Sequence, residues 1–321
     1  MDKPYAIGVD MGGTNTVIGL VDRRGDILIR SSISTVDYNT GESYVEALGN
    51  AINDLITQNN FTGDVIGIGM GVPNGNMNDG TVEKAANIPW AKTVVVPLAA
   101  MISEKTGLPC KLTNDANAAA LGEMAYGAAK GLKDFIVITL GTGLGSGIVA
   151  GGQLIVGHDG FAGELGHIRP VRYNGRLCGC GRTGCLETYA SATGVARTAR
   201  EFLEIYPERE TVLRDITTRP ITSKDVFEAA KAEDKMAIEI FEFTGRILGE
   251  ALADFITFSS PKAIILFGGL AHAGNFLLEP LKKTMAKNIL SIYEGKTEII
   301  VSQLNDAEAA ILGASALAWE Q

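Results

Sequence analysis

His167, Cys178, Cys180 and Cys185 stand in the pattern H-x10-C-x-C-x4-C, with glycines at 179, 181 and 184 that let the backbone fold around one centre. Nitrogen and sulfur ligands so spaced suit a closed tetrahedral zinc site, structural because no position is left for water. A redox pair in Cys178 and Cys180, or a set of unlinked thiols, is the competing reading of the same residues. Cys110, at the start of a strand, reads as core. Glu164, three residues before His167, and Glu187, two after Cys185, flank the cluster. A metal that pins this loop brings both carboxylates together, where they suit bidentate hydrogen bonding to vicinal hydroxyls. Solvated surface glutamates are the bland alternative.

A second chemistry sits in two glycine turns. Asp10-Met11-Gly12-Gly13-Thr14-Asn15 lies between two strands, where glycines admit an anion to backbone amides and Thr14 and Asn15 add neutral donors. Alone it reads more readily as a tight hairpin turn. Its counterpart, Gly141-Thr142-Gly143-Leu144-Gly145, shifts the balance, since two related turns facing one cleft clamp a polyphosphate from both sides. Neither is a G-x-x-x-x-G-K-[ST] loop, and no G-x-G-x-x-G strand-to-helix fingerprint is present. Phosphoryl transfer here must lean on amides, hydroxyls and a magnesium ion, with Asp10 as its carboxylate anchor. Asn114-Asp115 closes a strand and opens a helix, as does Asn305-Asp306. Both pairs are favoured helix caps. A carboxylate at a helix N-terminus is also held ionised, as a base that deprotonates an attacking hydroxyl must be. The pattern does not distinguish Asp115 from Asp306. His158 and His272 each stand alone and read as loop or packing residues.

The elements that must carry these groups read as an α/β chain. Residues 5–10, 16–22 and 27–34 form an antiparallel meander, followed by helical spacing in 43–57, a buried strand at 65–72, a helix near 96–106 and a strand at 109–113. The order then recurs: 134–157 repeats the meander, 263–271 repeats the buried strand, and N-D-A-E-A-A-I-L-G at 305–313 matches N-D-A-N-A-A-A-L-G at 114–122 in seven of nine positions. Two halves of one duplicated unit follow, the second interrupted by an insertion at roughly 158–262. Residues 222–258 read as an amphipathic helix pair. Glycine is the compositional outlier, 39 of 321 residues, as expected where backbones approach one another or a ligand. A charge of −9, from 28 Lys and Arg against 37 Asp and Glu, argues against a polyanionic nucleic-acid partner. No apolar run reaches the ~18 residues of a membrane helix, and the N-terminus lacks a leader's apolar core. Few cysteines, clustered at metal spacing, make the cytoplasm the expected compartment.

These motifs together resemble the ROK sugar kinases, within the actin, Hsp70 and hexokinase superfold. The likeness rests on D-M-G-G-T-N-T, V-I-G-I-G-M-G-V-P, N-D-A-N-A-A-A-L-G-E, L-G-T-G-L-G-S-G-I, E-L-G-H, C-G-C-G-R-T-G-C-L-E and L-F-G-G-L. It spans the whole chain and is nearest to bacterial glucokinases. The resemblance implies two RNase H-like domains around an interdomain cleft, 1–117 with 305–321 against 118–304. It implies ATP-dependent phosphorylation of a hexose 6-hydroxyl, glucose first, with fructose, mannose, N-acetylmannosamine and N-acetylglucosamine as rival substrates. Asp115 becomes the general base, which breaks the tie with Asp306. Asn114, Glu164, His167 and Glu187 hold the other hydroxyls, His167 through one ring nitrogen while the other binds zinc. Asn87, in A-N-I-P-W, lines the sugar pocket. Asp10, Gly12, Gly13, Thr14 and Asn15, with Gly141, Thr142 and Gly143, hold the phosphates of ATP with Mg2+, and Gly268-Gly269 lies against adenosine. A homodimer or homotetramer is the family habit. The family also holds sugar-responsive repressors with a DNA-binding domain ahead of this fold, for which a first strand beginning at Tyr5 leaves no room. Two departures stand out: Pro73-Asn74-Gly75 where relatives read P-G, and Val17 where many carry a lysine or arginine.

Overall fold

The computed structural model describes residues 3–85 and 88–319. The meander forms as read: β1 (Tyr5–Met11), β2 (Asn15–Asp22) and β3 (Ile27–Ser34) pair antiparallel. Helix α1 (Gly41–Gln58) starts at a reciprocal cap between Thr40 and Ser43 and buries the stripe Tyr44, Leu48, Ile52 and Leu55. Strand β4 (Val65–Gly71) pairs parallel with β1, so both of its faces are covered and its sequence is continuously apolar. A small sheet of β5 (Gly75–Asn76), β6 (Thr81–Glu83) and β7 (Val95–Val96) precedes α2 (Leu98–Thr106), β8 (Cys110–Thr113) and α3 (Asp115–Tyr126). The repeat follows with β9 (Phe135–Leu140), β10 (Leu144–Ala150) and β11 (Gln153–Leu154). Then come α4 (Glu187–Ala190), α5 (Ala192–Ile205), α6 (Ser223–Lys231), α7 (Lys235–Ser259), β12 (Ala263–Phe267), α8 (Asn275–Asn288), β13 (Glu298–Val301) and α9 (Asp306–Trp319).

The internal repeat is visible in strand order. The first sheet runs β3-β2-β1-β4-β8 and the second β11-β10-β9-β12-β13. In each, a meander is extended by parallel strands: β4 and β8 in the first, β12 and β13 in the second. The second copy is trimmed. The third strand of its meander is two residues long where the sequence suggested a run to 157. The strand expected over 263–271 ends at Phe267, because Gly268 turns the chain at φ 98° into the 3-10 turn Gly269–Ala273.

The chain falls into two compact units, one of residues up to 133, 147–163 and from 303 on, the other of 134–146 and 164–302. These differ from a cut after 117, since α3 and the segment 147–163 group with the first unit. Within that unit α9 lies against β1 and β4 so closely that a Cβ on Gly8 would meet the Ile311 carbonyl oxygen at 2.1 Å, and one on Gly69 the Ala314 oxygen at 1.9 Å. The last residues of the two matching nine-residue motifs, Gly122 and Gly313, meet where α3 crosses α9, a Cβ on the former lying 3.0 Å from the Cα of the latter. Part of the glycine excess is therefore packing. The second unit packs α7 against α8, with α5 and α6 beside α7. Among the described residues, no helix is long and apolar enough to cross a membrane.

Candidate functional site

In the first unit, the end of β1 carries Asp10, opposite Val17 in β2 and Gly71 in β4. Burial, then the neighbouring Asp115 charge, push its carboxyl up to about 6. Gly12 through Thr14 make the turn, closed by the Gly12 N–H on the Asn15 carbonyl at 2.9 Å, with Thr14 and Asn15 exposed. Behind the turn lies a chain of buried hydroxyls. Thr16 Oγ1 meets Thr35 Oγ1 at 2.9 Å and Tyr44 Oη at 2.8 Å, and the Thr35 N–H donates to the Thr14 carbonyl at 2.8 Å. Tyr44 is stacked by Trp90, ring centroids 4.9 Å apart.

Asn114 is the cap of α3, its Oδ1 accepting the Asn117 N–H. Asp115 is the first residue of that helix. One carboxylate oxygen accepts the Ala116 N–H at 2.8 Å, and the side chain remains open to solvent. Burial by the surrounding protein nevertheless raises its pKa, against the pull of that hydrogen bond. Capping by Asn114 leaves the adjacent carboxylate available for chemistry, which answers the helix-cap reading for this copy. The side chain of Asp306 and all of Asn87 lie outside what the structure describes. Asn74 has φ 53°, the left-handed conformation for which glycine is the usual residue and Asn a tolerated one. Its amide donates to the carbonyls of Glu83 and Lys84, which holds the Asn74 turn against β6. Val17 is half-buried against the apolar cluster of Val21, Ile311 and Leu312.

In the second unit, β9 ends at Leu140 and the second glycine turn follows. A Cβ on Gly141 would meet nothing within 4 Å, so protein packing does not demand glycine there; approach by a ligand would. Thr142 is exposed, its carbonyl accepting from the Thr193 hydroxyl at 2.8 Å. A Cβ on Gly143 would strike Glu187 Oε2 at 2.4 Å, and that oxygen accepts the Leu144 N–H at 3.1 Å. Glu187 is thus seated against the turn, with its other oxygen 3.7 Å from Cys178 Sγ. Gly268 is buried and left-handed, while the exposed Gly269 has open space where a side chain would stand.

The cluster read from spacing assembles: one donor atom each of His167, Cys178, Cys180 and Cys185 lies within 4.8 Å of all the others. Cys180 and Cys185 sulfurs are 3.7 Å apart, as are Cys178 Sγ and His167 Nδ1. A tetrahedral zinc with Zn–S near 2.3 Å places neighbouring sulfurs roughly 3.8 Å apart, so donors and spacing fit that ion. All the cysteines are free thiols, and no disulfide competes. The other ring nitrogen of His167, Nε2, lies 3.9 Å from Glu164 Oε2. The two ring nitrogens of His167 thus face different neighbours, Nδ1 the cysteine cluster and Nε2 Glu164. His158 is fully exposed on a loop, and Cys110 is half-buried against the first unit's core. Sequence reasoning missed the contact of Glu187 with the second turn and the hydroxyl chain behind the first. Neither has a local signature, since each joins residues at least 19 positions apart.

Two sheets of the same strand order, each with a glycine turn at the end of its first strand, define a duplicated α/β protein of the actin and hexokinase class. A family model for the ROK family matches residues 6–321, and the chain belongs to that family. It is 36% identical over 323 residues to the glucokinase of Halalkalibacterium halodurans, covering 100% of this chain and 97% of the relative. Its fold matches a ROK family glucokinase from Streptomyces griseus in complex with glucose and AMPPNP at a TM-score of 0.79 and 36% identity, over 99% of this chain and 100% of that one. It also matches a ROK family transcriptional regulator, homolog of the E. coli MLC protein, at a TM-score of 0.85 and 26% identity, over 98% of this chain and 78% of that one.

Proposed function

We propose that this protein is a glucokinase, transferring the terminal phosphoryl group of ATP to the 6-hydroxyl of glucose. The observation that carries the reading is Asp115: a solvent-open carboxylate on the first residue of α3, with capping delegated to Asn114. Asp115 takes the proton of the 6-hydroxyl as that oxygen bonds to phosphorus and the bond to the ADP oxygen breaks. Asn114, Glu164, His167 and Glu187 hold the remaining hydroxyls. Asn87 is assigned with them from the resemblance. The turns at Gly12 to Asn15 and Gly141 to Gly143 hold phosphate oxygens, and Gly268-Gly269 admits the adenosine.

Asp10, which burial and Asp115 make reluctant to ionise, is a fitting neighbour for a divalent cation. Magnesium there supplies charge neutralisation of the phosphates. Zinc in the cysteine cluster is structural, holding the segment that carries Glu164 and Glu187. The likenesses to glucokinases of Halalkalibacterium halodurans and Streptomyces griseus support glucose over its rivals, as that activity is named in relatives of matching length. A cytoplasmic homodimer or homotetramer is the assembly we expect.

Two experiments test this. ADP release across glucose, mannose, fructose, N-acetylmannosamine and N-acetylglucosamine should give the highest kcat/KM for glucose, and a preference for any other sugar reassigns the substrate. Asp115→Asn should lower kcat by at least the roughly 10² to 10⁴-fold of general-base catalysis while glucose binding is nearly unchanged. Wild-type kcat in that variant removes Asp115 from the mechanism.

A further inference from the structure

Arg176 lies two residues ahead of Cys178 and belongs to none of the motifs read from the sequence. It is only 7% exposed, and a guanidinium tolerates such burial only when its N–H groups find acceptors. They do. Nε and Nη2 donate to Glu201 Oε2 on α5, Nε at 3.0 Å, and Nη2 also reaches Thr198 Oγ1 at 2.9 Å. Nη1 donates to the Thr188 carbonyl at 2.7 Å and to the Gly194 carbonyl at 3.4 Å. The guanidinium lies over the Tyr189 ring at 4.4 Å, and the Tyr189 hydroxyl accepts the Arg176 backbone N–H at 2.9 Å. Glu201 is shared with Arg197, which holds the Leu177 carbonyl at 3.0 Å, so the approach to Cys178 is tied to α5 twice.

Two of these partners, Thr188 and Tyr189, directly follow Glu187 in the chain. It opens α4, a helix of four residues, too short to hold its own orientation by internal hydrogen bonds. Arg176 bonds to the residue after Glu187 and stacks on the one after that. We propose that Arg176 is a positioning residue for Glu187, fixing α4 to the cysteine segment so that the Glu187 carboxylate stands against the second glycine turn. The proposal rests on the reading of Glu187 as a sugar-holding residue. It assigns Arg176 a task that lysine cannot perform, since an ammonium offers no planar fork to serve the Thr188 carbonyl and Glu201 together.

The test is a double-mutant cycle read by calorimetric glucose binding, with zinc per chain measured on every variant. Arg176→Lys should weaken glucose binding by about tenfold with zinc retained, within the range of coupled neighbours. Glu187→Gln should weaken it at least as much. In the Glu187→Gln background, adding Arg176→Lys should cost nothing further, because the group being positioned is already gone. Glu201→Gln, which keeps the side-chain shape and removes its charge, should show a smaller loss with the same lack of additivity, and it carries the test if Arg176→Lys does not fold or loses its zinc. Full additivity, or unaltered glucose binding in both Arg176→Lys and Glu201→Gln, overturns the proposal while leaving Glu187 a sugar ligand. Unaltered binding in Glu187→Gln removes the sugar role of Glu187 and the proposal with it.

Discussion

The two glycine turns share an origin in sequence and a place in their sheets, yet they are supported in opposite ways. The first follows a strand that ends in its own carboxylate, Asp10, and rests on a buried chain of hydroxyls from Thr16, Thr35 and Tyr44. At the position of Asp10 the second strand has Thr139, whose hydroxyl accepts the Gly145 N–H at 3.0 Å and so closes the turn on itself. The carboxylate against the second turn is borrowed: Glu187 arrives from α4, beside the cysteine cluster. One copy has kept a negative charge in its strand. The other is braced by the segment proposed to hold sugar and metal. Two similar turns thus differ at one strand position, and with it in what supports them.

The largest expected effect breaks that asymmetry at Asp10. Asp10→Asn should lower kcat by roughly 10² to 10³-fold, as for the loss of one preorganised electrostatic group, while Thr139→Ala should change it by less than about threefold. Stability should move the other way. The folded protein disfavours ionised Asp10, whose carboxyl is pushed up to about 6 from 3.8. The stability it lends as a neutral acid is fully present below 3.8 and lost as pH rises through about 6. Without ligands, Asp10→Asn should therefore melt above wild type at pH 7 to 8, and the gap should close toward pH 4. Parallel melting curves at all pH values would show that Asp10 ionises freely.

Next in size is removal of the metal. Stripping the proposed zinc with a chelator should free the segment that carries Glu164 and Glu187 and raise the glucose KM by roughly tenfold or more. The first turn should not notice. Both tryptophans, Trp90 and Trp319, belong to the first unit, so their emission should be unchanged while sugar affinity falls. A shift in tryptophan emission that tracks zinc loss would mean that the metal supports the whole fold and not the second turn alone.

How much of this was legible beforehand divides along the same line. The first turn, the Asn114-Asp115 helix start and the His/Cys cluster are local, each built from residues within about 20 positions, so residue type and spacing made their assembly legible. The recurrence of elements along the chain was legible because hydrophobic period and a repeated nine-residue motif mark both halves, and the two sheets share one strand order. What escaped notice is long-range. Glu187 is 43 residues from Leu144, Tyr44 is 28 from Thr16, and Arg176 reaches 25 residues to Glu201, and no periodicity marks such pairs. The short β11 and the early end of β12 were misjudged for a different reason. Apolar composition continues past both ends, and at β12 a backbone turn at Gly268 overrides it.

The smallest effect sharpens the comparison within the second turn itself. Gly141 has no positive φ, and a methyl group there meets nothing within 4 Å, so Gly141→Ala should leave melting within about 0.5 kcal/mol of wild type. A phosphate drawn close to that backbone would meet the methyl, so the ATP KM should rise by roughly three- to tenfold with the glucose KM steady. Gly143→Ala is the contrasting case. Its methyl would strike Glu187 Oε2 at 2.4 Å, which forces the carboxylate off the Leu144 N–H and should raise both KM values. If Gly141→Ala leaves the ATP KM untouched while Gly143→Ala raises only that of glucose, the second turn serves to seat Glu187 and the phosphates are held by the first turn alone.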